Sequence, residues 1–374
     1  RITVQLIDAD ADVHLWAETF DLKVEDVFAI QDEIAAATAG ALGVTMGVGG
    51  IKGFRGAGTR NFEAYEAYLQ GDHELAIEID PGYAAAWARQ GIRIMSTKWD
   101  NPPEEAPRIS DLAEPYIKRA IELDPEAASA HHEFATLHYG RMQWQTAEDL
   151  FHASLAVRRS GLTLAAFSNM LMRAGRIDNA RELRAEADAL DRVPRPYSRL
   201  RHFADIADGD FITARATVDQ LREYHRANAA VLIALNDGTP DELRSALEAV
   251  SPTEMVRVAL YDKVLDVLDS PEQALATLRD VFADSATMWP AKYHDIALLA
   301  AYFGDPEFAL EVFSREIRYT TIRYAALWYP VMAEARRLPR FRELVTEANL
   351  VEYWRAYGWG DYCRPQGQDD FACF

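Results

Sequence analysis

The stretch HHEFATLH, residues 131–138, gathers His131, His132, Glu133 and His138, residue types that can ligate zinc and activate a water. A helical HExxH motif sets two histidines four residues apart so that both rings share one face. Here Thr136 stands where the second histidine is required, so the histidines read as packing residues of a helix interior. The glycine-rich GVTMGVGGIKGFRGAG, residues 43–58 with Lys52, invites a phosphate-loop reading. Its spacing fits neither GxGxxG nor GxxxxGK, and it follows a helical pattern where a strand is needed. It reads as a flexible linker. No GxSxG elbow occurs, and the many carboxylates sit in no recognisable catalytic frame. Cys363 and Cys373, the two cysteines of the chain, allow at most one bridge pinning the tail. With no histidine nearby they make a poor metal site, and whether they bridge depends on an oxidising compartment. No catalytic, cofactor or metal chemistry is expected.

The elements that position these residues follow from composition and periodicity. The chain has 374 residues, 49% of them hydrophobic, with 39 basic against 59 acidic residues and a net charge of −20. That is enough apolar surface for a sizeable core, and the wrong charge for neutralising nucleic-acid phosphates. No apolar run approaches the ~20 residues of a membrane-spanning helix, and no signal peptide opens the chain. A cytoplasmic location is expected, or a periplasmic one if a membrane helix precedes this region.

AIEIDPGYAAAWARQG (76–91) is echoed by AIELDPEAASAHHEFA (120–135). In each, Asp80 or Asp124 can cap a following helix while Pro81 or Pro125 occupies its first turn. Downstream, Ala135, Ala147, Phe151 and Ser154 fall at helical spacing. This pattern resembles the tetratricopeptide repeat, a helix-turn-helix unit of about 34 residues. Further copies place Gly175 before Ala180, Gly209 before Ala214, Gly304 before Ala309 and Ser270 before Ala274, giving six to eight helical hairpins. The insertion STKWDNPPEEAP (96–107) reads as a lengthened loop. A helix around DHELAIEIDP reads as shortened or missing.

The ends differ in texture. RITVQLIDA and HLWAETFD alternate as strands, and VFAIQDEIAAATAGAL (27–42) is an amphipathic helix. These words, with EDVFAIQDEIA, resemble the closing part of the TolB-amino-terminal-like α/β domain that precedes tetratricopeptide repeats in bacterial signalling proteins. The resemblance implies a start in mid-domain. RRLPRFRELVTEANLVEYWRAYGWGDYCRPQGQDDFACF resembles the terminal repeat of the same proteins, with Tyr353, Trp354, Gly358, Trp359, Cys363 and Cys373 in its signature. The expected fold is mainly α: a tetratricopeptide α-solenoid of helical hairpins preceded by a small partial α/β segment. Its divisions are an α/β segment at 1–44, a linker at 45–60, the repeat array at 61–362 and a tail at 363–374.

The first helix of each hairpin lines the concave side of such an array. In this register His132, Tyr139, Asn169, Arg173, Arg199, His294 and Tyr302 face a groove suited to an extended peptide or partner helix. The expected role is a non-catalytic protein-binding scaffold, through a protein or peptide partner or through self-association. The resemblance implies an alternative, a regulatory region of a class III adenylate or guanylate cyclase whose catalytic domain lies elsewhere. Chaperone-tail binding is not expected, since Ala165 precedes Asn169 where the clamp of such relatives has lysine.

Overall fold

The fold is mainly α with two small antiparallel ribbons. The computed structural model describes residues 2–8, 13–20, 33–34, 37–38, 58–101, 105–190, 198–221, 223–250, 255–283, 291–317, 324–367 and 370–374. Most of the helix expected over 27–42 and most of the linker at 45–60, Lys52 included, lie outside these. The described residues divide into two compact units, 1–93 with 115–130, and 94–114 with 131–374.

In the first unit β1 (Ile2–Asp8) pairs with β2 (Val13–Phe20), with a bulge between Leu6 and Ile7. Next come α1 (Phe62–Leu69), α2 (His73–Ile79) and α3 (Ala84–Ser96). Both helices of the first hairpin are therefore present, and both are short. The Asp-Pro joints work differently from expectation. Asp80 accepts from the Gly82 amide at 2.9 Å, Asp124 from that of Glu126 at 3.1 Å, and the helices begin only at Ala84 and Ala128. Each proline thus occupies the second position of a turn, where its fixed φ belongs, rather than a helical turn. The insertion carries a 3-10 turn, Thr97–Asp100, before α4 (Ala106–Leu123).

The chain continues through α5 (Ala128–Gly140), α6 (Trp144–Val157), α7 (Gly161–Arg173), α8 (Ile177–Leu190), α9 (Ser198–Ala207) and α10 (Phe211–Thr217). It goes on through α11 (Glu223–Asp237), α12 (Pro240–Glu248), α13 (Met255–Leu265), α14 (Pro271–Ala283), α15 (Ala291–Tyr302) and α16 (Pro306–Ile317). Successive helices pack in pairs, α7 with α8, α9 with α10, α11 with α12, α13 with α14 and α15 with α16.

The turn between paired helices recurs with one geometry. Gly71, Gly175, Gly209 and Gly304 all have positive φ, and Met142 takes the same place with φ 59°. At each, the amide bonds three residues back and the next amide five back, as Gly175 to Met172 and Arg176 to Leu171. This double bond pattern closes a helix through a left-handed residue. Five residues on, an alanine is buried every time: Ala76, Ala147, Ala180, Ala214 and Ala309. A methyl group is what lets the second helix close onto the first. Asp72, Asp210 and Asp305 then cap the second helices through the amides of Leu75, Thr213 and Phe308.

The segment after α16 supplies much of the second unit's core. Two 3-10 turns, Tyr324–Trp328 and Pro330–Met332, lead to α17 (Ala333–Arg336), α18 (Pro339–Glu347) and α19 (Leu350–Tyr357). A ribbon of β3 (Cys363–Gln366) and β4 (Asp370–Cys373) follows, with Cys363 opposite Cys373 and the two joined as a disulfide.

Candidate functional site

The first helices α7, α9, α11 and α15 all pack against the 3-10 segment 324–332, whose Tyr324 and Ala325 to Tyr329 are buried. Trp328 donates its indole N–H to the carbonyl of Arg173 at 2.9 Å, and Trp354 donates to that of Ala174 at 2.7 Å. These are terminal carbonyls of α7 that no helical amide reaches. Trp144 donates to the carbonyl of Ala348 at 2.7 Å, and the Val331 amide to Asn236 at 2.9 Å.

The turn from α7 to α8 is the anchor. Arg176 stands where Asp72, Asp210 and Asp305 cap the second helices of their hairpins, and here the cap comes from far along the chain. Asp361 accepts from the amides of Ile177 and Asp178, the latter at 3.1 Å, while its own amide donates to Gly175 at 2.8 Å. Arg176 is released for another task, bonding Glu148 at 3.2 Å and Tyr353 at 3.0 Å. Glu148 is buried and also accepts from Tyr353. Burial foremost, reinforced by Glu148, raises the Tyr353 hydroxyl's pKa, so the proton stays on oxygen.

Arg336 locks the remainder. Its guanidinium, 3% exposed, reaches the carbonyls of Leu327, Tyr329 and Phe374 at 3.0, 2.9 and 2.8 Å and lies 4.4 Å from the centre of the Tyr362 ring. Desolvation lowers its pKa to about 10, which leaves it charged at neutral pH.

His132, Tyr139, Arg173 and His294 are buried, and Asn169 and Tyr302 are half-buried. The side chain of Arg199 lies outside the described residues. The physical reason is packing within and between hairpins: His132 meets Phe151 and Thr163, Arg173 meets Tyr139 and His294 meets Phe313, so side chains that repeat register turns toward a groove are covered by their neighbours. Tyr139 and Arg173 are brought together, Nη1 to hydroxyl at 3.4 Å with the guanidinium 5.4 Å from the ring centre. His132 bonds Thr163 at 3.3 Å and sits edge-on to Phe151, and desolvation lowers its pKa to about 4. His138 bonds Gln143 at 2.5 Å. These are packing and turn roles.

An accessible concavity lies elsewhere. Between α10 and α12, over α11, runs a groove of about 640 Å³ with a floor of Ala230, Ile233, Ala234 and Ala246 and with Val218 in its wall. Asp219, Asp241 and Glu242 line its rim. The one lining arginine, Arg215, is engaged by Asp237 at 3.3 Å and Glu242 at 3.7 Å. Three residues before it on α10, Ile212 is 86% exposed. Sequence reasoning missed this groove. Among the described residues no group of three or more His, Cys, Asp or Glu is placed to hold a metal ion, and no helix is long and apolar enough to cross a membrane.

No protein-family profile matches the chain. Over 156 residues the chain is 29% identical to a Rhizobium meliloti (strain 1021) protein named "Putative adenylate cyclase 3". The match covers 36% of this chain and 26% of that protein, so the similarity spans about a quarter of the relative's length. The chain is thus similar in part to a cyclase-named protein.

Proposed function

We propose that this chain is a non-catalytic, protein-binding region of a bacterial signalling protein, built of tetratricopeptide-type hairpins after a TolB-amino-terminal-like segment. The recurring left-handed turn followed five residues later by a buried alanine supports the repeat assignment. The observation that carries the binding role is the groove over α11. Its apolar floor lies between two helices, a setting in which a partner helix can dock, and Ile212, three residues before the lining Arg215, adds an exposed apolar side chain. The acidic rim favours an occupant whose flanks carry lysine or arginine.

The test is affinity capture from cell lysate with three baits: the wild-type chain, an I212E/D241K/E242K variant and an N169A/Y302A variant. A protein held by the wild type and by N169A/Y302A but lost from the groove variant supports the proposal. The opposite pattern returns binding to the inner face, and equal capture by all three refutes the groove.

A second reading is that the region regulates a nucleotide cyclase domain of its parent protein, favoured by the cyclase-named relative. Cyclase activity of a longer parent chain that does not change between wild type and the I212E/D241K/E242K variant would oppose it.

A further inference from the structure

The insertion 96–107 carries a lysine for which neither the helical packing nor the groove has a use. Lys98 stands in the 3-10 turn Thr97–Asp100 and is half-buried. Its Nζ reaches over the end of α5, 3.6 Å from where a side chain would begin at Gly140, so the missing side chain leaves the amine its room. The neighbouring cation, Arg141, is already held by carboxylates, Nη2 by Asp111 and Nη1 by Glu114, each at 2.6 Å. Lys98 has no such partner. Among the described residues no carboxylate lies within ion-pair distance of its amine, and the charge that acts on it is that of Arg141.

An ammonium that is half-buried without an anion and beside a guanidinium is disfavoured twice, by lost hydration and by like charge. Burial foremost, then Arg141, lowers its pKa to about 8. About a tenth of the amine is then uncharged at neutral pH, against well under about a thousandth for an ordinary lysine. An uncharged amine is a nucleophile, and desolvation next to a cation is a setting that activates lysines. The rest of the molecule selects the electrophile. Acyl phosphates and nucleotide-borne acyl thioesters are anions, and a chain of net charge −20 repels them. Carbon dioxide is small and uncharged, so neither the charge nor the half-burial keeps it from the amine.

We propose that Lys98 is a carbamate-forming site for carbon dioxide, with Arg141 as the cation beside the product. The amine lone pair attacks the carbon of carbon dioxide, a C–N bond forms as one C=O π pair moves onto oxygen, and a proton leaves the nitrogen for water. The carbamate is an anion where the amine was neutral or positive. It competes with Asp111 and Glu114 for the Arg141 guanidinium, so dissolved carbon dioxide bears on the tie between α4 and the end of α5. This site is separate from the groove over α11 and stands or falls without it.

The experiment is carbamate trapping. The folded chain is equilibrated with carbon dioxide near neutral pH, treated with triethyloxonium, which esterifies carbamates, then digested and read by mass spectrometry. An ethoxycarbonyl group on Lys98, at least about tenfold above the exposed Lys118 and Lys263, supports the site. Trapping at Lys98 no greater than at those two overturns it. A parallel run with acetyl phosphate that acetylates Lys98, while no carbamate is trapped there, also overturns it and reassigns the amine to an acyl donor. Each lysine is read from its own peptide of the wild-type chain, so the test does not depend on a variant folding. Where K98R folds, its spectrum under labelled carbon dioxide should lack a carbamate carbon resonance that the wild type shows, and a resonance retained in K98R counts against the site.

Discussion

Replacing Gly175 by alanine measures how firmly the C-terminal segment is seated. Gly175 has φ 78°, and a methyl group there would lie 2.8 Å from two indole carbons of Trp328. The indole cannot step aside freely: it is fully buried, bonded to the Arg173 carbonyl at 2.9 Å and wedged between Phe341 and Trp354 at 5.9 and 6.1 Å between ring centres. The left-handed backbone costs an alanine about 1–2 kcal/mol. Forcing a methyl into a filled core adds about 1–3 kcal/mol, for a total of about 2–5 kcal/mol. Gly304 is the internal control, with φ 88° and nothing within 4 Å of an added methyl. Gly304→Ala should therefore lose only the backbone part, about 1–2 kcal/mol. Urea unfolding of both variants, and of G175A/W328L, gives the comparison. The double variant should cost less than the two single changes added together, because each relieves the other's clash. Equal losses for G175A and G304A would refute the seating of Trp328 on the α7–α8 turn.

Acid should weaken the fold before most carboxylates titrate. Burial holds both His132 and His202 neutral, with pKa values lowered to about 4 from an ordinary 6.5. Between these values the unfolded chain binds the extra protons, so stability falls as pH drops from about 6.5 and stops falling on their account near 4. Each contributes up to about 3 kcal/mol; urea midpoints that match at pH 7 and pH 5 would contradict this. Reduction of Cys363–Cys373, or C363S/C373S, frees a loop with a sequence separation of 10 and should lower stability by about 3 kcal/mol on the chain-entropy account. Unchanged thermal unfolding in reductant would oppose it.

What the sequence determined was local. The 34-residue step from Gly175 to Gly209, the alanine five positions after each turn and the capping aspartates are short-range patterns, because a helical hairpin is specified by residues within about two turns of its own loop. Arg176 stands where Asp72, Asp210 and Asp305 cap their helices, and the remedy is not local, since Asp361 lies 183 residues beyond Asp178. The same limit applied to the partner-facing residues. Repeat register tells which side of a helix points inward, and Tyr139, Arg173 and His294 do lie on packed faces. It does not tell whether solvent, a partner or another part of the chain meets them. Only the tertiary structure decided that, by bringing Tyr324–Met332 and the three buried tryptophans Trp144, Trp328 and Trp354 onto or beside the first helices. Burial of that much aromatic surface depends on contacts distant in sequence, which no periodicity within the repeats encodes.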